Sequence, residues 1–238
     1  LSSTQIRGNL TAAGDLAGRP AAILIPGDRA GWSSFAGPAP GTQAETIKFL
    51  SAVTRYRDIA MSIILVPIGK VDPVEMQALQ ASLATAFSGD VVPKKKIPLP
   101  ATARNTARDQ YDAEVVLEYL SLSGEIGGCD RVLGVTDVDL YLPGMNFVFG
   151  LAGRRNAVIS LYRLRQSFYG LPEDVGVFRR RATVEAVHEL GHTFGLAHCD
   201  DPRCVMRFSN TISETDVKGP AFCPVCRPRV RAGEATGR

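Results

Sequence analysis

The spacing of apolar and polar positions divides the chain into an irregular first quarter and a regular remainder. Over the first forty or so residues, Gly14, Gly18, Gly27, Gly31, Gly37 and Gly41, with Pro20, Pro26, Pro38 and Pro40, interrupt any period. Such punctuation predicts turns and loose chain. One short strand is expected over Ala21–Ile25, and a helix from Thr42 to about Arg57 with Ile47, Leu50 and Thr54 on one face. Met61 stands at the junction, as an original start would, leaving residues 1–60 as an extension of unknown role.

Beyond it, strand and helix patterns alternate. SIILVPI from Ser62 is a short apolar, β-branched run bounded by Pro67 and Gly69, which predicts a buried strand. Asp72 before Pro73 is a helix start, and Val74, Leu79, Leu83 and Phe87 keep a helical face until Gly89. Val91 to Ile97 reads as a strand, and Pro93 with three lysines suggests a short or edge position. A second helix is expected from about Arg108 to Leu122, carried by Tyr111, Val115, Tyr119 and Leu122 and ended by the glycines of 124–128. Three strands should follow, Arg131–Thr136, Asn146–Ala152 and Ala157–Arg163. This order predicts an α+β fold built on a mixed sheet with helices packed on it. No internal repeat interrupts it.

The last predicted helix, from about Val177 to Phe194, carries a different kind of pattern. At about 100° per residue His192 lies one turn beyond His188 and nearly in line with it, and Glu185 and Glu189 flank the same side. Val187, Leu190 and Phe194 fall on the opposite arc, with Ala186 beside them. The apolar side should therefore pack on the sheet while two imidazoles and a carboxylate face a cleft.

Composition narrows the chemistry. The 238 residues carry a net charge of +3, with no dominating basic stripe, which argues against nucleic acid as a partner. The basic runs Lys94–Lys96 and Arg179–Arg181 read as solvated faces. No apolar run is long enough for a membrane span, and the start lacks the pattern of a secretory signal. Four of the five cysteines cluster at metal-ligand spacings, which points to a reducing, cytoplasmic setting. Oligomeric state leaves no trace in the pattern.

All three histidines fall in one stretch, HELGHTFGLAHCDDPRCVM from His188 to Met206. Histidines at i and i+4 can share one zinc ion, and a third ligand must return from another direction after the helix ends. Gly195 suits the left-handed turn this requires, and it brings His198 back as that third ligand. Three protein ligands leave a fourth position for water, the arrangement of a catalytic zinc. Glu189 then has the place of a general base acting on that water. Cys199 and Cys204, followed by the CPVC pair Cys223 and Cys226, supply four thiolates and no open position, which describes a closed structural zinc. Two disulfides or free thiols are the alternatives. Cys129 reads as a small buried residue, because no histidine remains to activate it.

HExxHxxGxxH followed by a methionine and the cysteine cluster resembles the archaemetzincins, metzincin-like zinc metallopeptidases. The resemblance extends over roughly Ser62 to Arg227, including VTDVDLY at Val135–Tyr141, NFVFG at Asn146–Gly150 and FYGLP at Phe168–Pro172. It implies a metzincin-like catalytic domain over 61–228, with an active-site helix and a small zinc-stapled C-terminal subdomain, then a tail over 229–238. It also implies His188, His192 and His198 as ligands of a catalytic zinc and Glu189 as the base. Met206 matches the methionine turn, and Cys199, Cys204, Cys223 and Cys226 match a second, structural zinc, giving two ions per chain. Tyr141, Tyr162 and Tyr169 are candidates for an additional transition-state group. The expected activity is zinc-dependent hydrolysis of peptide bonds in peptides or unfolded segments. A non-catalytic or occluded zinc protein that binds peptides or partners is the alternative.

Overall fold

The computed structural model describes residues 61–124 and 129–230. The strand expected at Ala21–Ile25, the helix expected near Thr42–Arg57, and residues 125–128 and 231–238 lie outside the described residues. A five-stranded sheet forms the centre, in the order β2 (Asp90–Pro93), β1 (Ser62–Ile68), β5 (Arg131–Thr136), β8 (Asn156–Ser160), β7 (Gly150–Ala152). The first four strands run parallel and β7 runs antiparallel to β8, so the sheet is mixed.

The alternation within strands sorts the core into two clusters. Ile63 and Leu65 of β1, Leu133 and Val135 of β5, and Ala157 and Ile159 of β8 join one cluster with helices α1 (Pro73–Phe87) and α3 (Val175–Thr193). Ile64, Val66 and Ile68, with Val132 and Val158, join the other with α2 (Ala113–Leu122). Because both faces are covered, every residue of β5 is buried, and the strand reads as a continuous apolar run rather than an alternating one. β2 lies at the sheet edge, where its proline and following lysines place it. A short fourth helix, α4 (Ile212–Val217), starts in a capping box formed by Thr211 and Glu214.

Several boundaries differ from the pattern-based expectation. The second helix begins at Ala113 rather than Arg108, because the Asp112 carboxylate accepts the backbone N–H groups of Glu114 and Val115 and caps it there. The preceding residues form β4 (Gln110–Asp112), which pairs with β3 (Arg104–Asn105) and β6 (Leu140–Tyr141) in a small second sheet. The buried face of α2 is accordingly Ala113, Val116 and Leu120, and Leu122 is 78% exposed. The strand expected over Asn146–Ala152 shortens to Gly150–Ala152. Arg108 holds the carbonyls of Met145 and Asn146 at 2.9 Å each, which bends the chain before β7. The strand expected to reach Arg163 ends at Ser160 in a 3₁₀ turn, and the one expected over Val91–Ile97 keeps only an isolated bridge from Ile97 to Ile68 after Pro93. Val230, in the stretch expected as a tail, is buried at the end of the last helical turn, 226–230.

Candidate zinc centres and the cleft between β7 and α3

The long helix α3 is started by Asp174, whose carboxylate accepts the Val177 N–H at 3.0 Å. Its apolar residues Ala186, Val187 and Leu190 are buried, as the periodicity predicts, and Val184 is buried as well. His188 and His192 leave the other side as an i, i+4 pair, with ring centroids 4.6 Å apart. The helix ends at Thr193, and Gly195 takes φ +79°, the left-handed turn expected there. That turn returns His198 to the pair, with ring centroids 5.5 Å from His188 and 4.9 Å from His192.

Hydrogen bonding fixes which nitrogen each ring offers. His188 Nδ1 lies 2.8 Å from the Val205 carbonyl, and His192 Nδ1 lies 2.8 Å from the Leu196 carbonyl. A carbonyl only accepts, so both Nδ1 atoms carry the proton and both Nε2 atoms present lone pairs. Those two Nε2 atoms stand 3.1 Å apart. Two nitrogens on a tetrahedral zinc, each at about 2.0–2.1 Å, are separated by roughly 3.3 Å. Opposed lone pairs at this distance suit a cation between them, and the third histidine brings its ligand atom within 4.8 Å of the others. Burial, reinforced by the charge of Lys218, pushes the proton affinity of His188 down to a pKa of about 2. Burial lowers those of His192 and His198 as well. Neutral imidazoles are the form a metal takes.

Glu189 is buried on the same helix. Desolvation, then the neighbouring Glu185 carboxylate, raise its pKa to about 8. Gly150 of the edge strand β7 faces it so closely that an added Cβ would come within 2.6 Å of Glu189 Cγ. The strand, the helix and the loop at 208–210 enclose a cleft of about 710 Å³ lined by Glu189 and all three histidines. Phe147, Phe149 and Leu151 form its apolar wall, and Glu185, Lys218, Ser209 and Asn210 its polar side. The Phe208 ring packs at a tilt against His198 with a centroid distance of 4.8 Å.

Met206 lies fully buried beneath the histidine-bearing turn of α3. A Cβ at Gly191 would collide with its sulfur, so this glycine is what lets the methionine approach the helix between His188 and His192. The four cysteines gather just beyond, their sulfurs within 4.8 Å of one another. Cys199 Sγ and Cys223 Sγ are 3.9 Å apart, too far for a disulfide and close to the roughly 3.8 Å between two sulfurs on one tetrahedral zinc. None of the described cysteines is disulfide-bonded. Backbone N–H groups of Cys226 and Val225 hold the Cys223 thiol down to about 7, while burial raises those of Cys204 and Cys226. Cys129 is buried apart from this group.

The three tyrosine candidates stay outside the cleft. Tyr141 accepts from Asn105 Nδ2 beneath Arg108, Tyr169 donates to the Arg163 carbonyl, and Tyr162 meets Phe168 edge to face. VTDVDLY, NFVFG and FYGLP instead converge on Arg163. Its guanidinium makes two bonds to Asp139, at 2.6 and 2.7 Å, and lies over the rings of Phe147 and Phe168. These motifs thus support the wall of the cleft. Pattern reading missed Gly150, Gly191 and Lys218. Their roles arise from contacts across the fold, which no local spacing announces.

Residues 84–232 match peptidase family M54. The chain belongs to that family. It is 41% identical over 175 residues to the archaemetzincin of Methanocaldococcus jannaschii, covering 72% of this chain and 93% of that one. With the archaemetzincin of Pyrococcus furiosus it shares 42% identity over 187 residues, covering 74% and 97%. The crystal structure of archaemetzincin from Methanopyrus kandleri aligns with a TM-score of 0.64 at 39% identity, over 74% of this chain and 97% of that chain. A zinc-dependent peptidase from Methanocorpusculum labreanum aligns with a TM-score of 0.65 at 31% identity, over 71% and 99%. The M54 assignment makes the chain a zinc metallopeptidase with peptides as its substrate class, on the mixed α/β fold expected for it. No described helix is long and apolar enough to cross a membrane.

Proposed function

We propose that His188, His192 and His198 hold the catalytic zinc, that Glu189 is the general base, and that Cys199, Cys204, Cys223 and Cys226 hold a second, structural zinc. The observation that carries this reading is the pair of Nε2 lone pairs facing each other at 3.1 Å, with both Nδ1–H groups committed to carbonyls. Zinc bound there would supply a Lewis acid that polarises a scissile carbonyl and acidifies a water.

The remaining work falls to the chain. Gly150 lies on the edge strand of the sheet, so an extended peptide can run alongside β7 by main-chain hydrogen bonding. Because Gly150 has no side chain, Glu189 packs directly against this strand, beside the path such a peptide would take. As a carboxylate, Glu189 takes a proton from water and then delivers it to the departing amine nitrogen. The cleft of about 710 Å³ reaching the histidines speaks against an occluded, purely binding protein.

The test is Glu189→Ala with metal content measured beside peptide cleavage by mass spectrometry. Hydrolysis should fall by about 100- to 10,000-fold while zinc stays bound. Activity that survives the change would remove Glu189 from the mechanism. Metal analysis should find close to two zinc ions per chain, and one or none would remove the two-site reading.

A further inference from the structure

Lys218 is buried, whereas Lys70, Lys94, Lys95 and Lys96 are exposed. Its side chain is 0% exposed and stands 3.4 Å from a Glu185 carboxylate that is 4% exposed. An ion pair removed from water this completely adds little stability over two apolar residues of similar volume. What it adds is direction, through the hydrogen bonds it fixes. Nζ donates to the Arg207 carbonyl at 3.2 Å. Arg207 follows Met206, and two residues before it Val205 offers the carbonyl that receives the His188 Nδ1–H. The Glu185 end of the bridge sits one turn before Glu189 on α3, where Thr215 Oγ1 also donates to it at 3.1 Å. Lys218 borders the polar side of the cleft, but its ammonium is 0% exposed and engaged by the Arg207 carbonyl and the Glu185 carboxylate.

We propose that Lys218 is a positioning residue for the histidine site: by bridging the Arg207 carbonyl to the Glu185 carboxylate, it holds the turn whose Val205 carbonyl orients the His188 ring. The inference rests on the zinc reading of the three histidines. Groups that orient a ligating imidazole through its second nitrogen commonly govern metal affinity by roughly 10–100-fold. Lys218 acts one step further out, on the carbonyl-bearing turn.

The experiment compares Lys218→Met with the double variant Glu185→Leu/Lys218→Met in the full chain. It reads zinc affinity at both sites by chelator competition, thermal melting, and the separate values of kcat and KM. Lys218→Met should weaken zinc at the histidines at least tenfold and lower kcat more than it changes KM, with the cysteine-held zinc unaffected. The double variant removes the unpaired carboxylate and should regain the melting temperature. It should not regain zinc affinity at the histidines, since the Arg207 carbonyl stays untethered. Recovery of both in the double variant would reduce the pair to a matter of charge burial and overturn the proposal. If the single variant does not fold, the double variant alone decides on the same readout. A wild-type chain with no metal at its histidines overturns the zinc reading together with this one. Two ions in wild type and unchanged affinity in the variants overturn the role of Lys218 alone.

Discussion

The histidine and cysteine clusters meet at adjacent residues, His198 and Cys199, yet they are built in opposite ways. The histidines belong to a helix and one returning turn, and they open on a cleft shared with Glu189. Their outer nitrogens are tied to the carbonyls of Val205 and Leu196. The cysteines come from two segments, three of the four are buried, and backbone N–H groups approach their sulfurs. Carbonyls behind an imidazole sharpen its lone pair toward a metal, while N–H groups against a thiol favour the thiolate. On the reading proposed above, one cluster would expose a metal to a substrate and the other would enclose one. The difference lies in the polarity of the supporting backbone as much as in the ligands.

The contrast can be broken most sharply from the histidine side. His192→Ala should reduce hydrolysis to background while leaving one zinc per chain and a nearly unchanged melting curve. Loss of both ions would show that the two clusters are one cooperative unit. Next in size is Cys223→Ser, which should lower the melting temperature and raise hydrogen exchange over residues 199–230, because metal binding of this kind contributes directly to folding. Exchange confined to the wild-type pattern would deny the cysteines a structural part. Brief chelation should remove activity well before it alters circular dichroism, since the open site releases its ion first; simultaneous loss would merge the two. A smaller effect is expected from Gly191→Ala, which forces Met206 away from α3 at a cost of about 1–3 kcal/mol. Zinc affinity should fall at the histidines alone. Asp174→Ala should cost about 1 kcal/mol by uncapping α3, with neither ion lost.

Much of this arrangement is legible along the chain because its information is local. The two helical histidines, Gly195 and His198 lie within eleven residues, and the turn geometry follows from glycine's tolerance of positive φ. Central strands announce themselves as β-branched runs because both their faces are covered. What escapes is set across the fold or by chemistry other than periodicity. β3, β4 and β6 are too short to show a period. The start of α2 is decided by the Asp112 cap, and following hydrophobic spacing through it slips the buried face by one position. The capping box at Thr211 and Glu214 is a readable signature that a search for apolar faces passes over. Glu185 is legible as a neighbour of Glu189, but its pairing with Lys218 spans 33 positions and leaves no local mark.

The contact between Gly150 and Glu189 bears on selectivity. One bank of the cleft beside Glu189 is bare main chain, so the spacing of strand and helix there is set by the Glu189 side chain packed on Gly150. Such a bank is blind to which amino acid lies across it, because every peptide presents it with the same backbone. Discrimination between substrates must then come from the aromatic and polar banks on either side, around Phe147, Phe208 and Asn210. An inhibitor that imitates only the peptide backbone would fit this slot without learning anything of the protein's preference. One that carries side chains would have to be fitted to those outer walls.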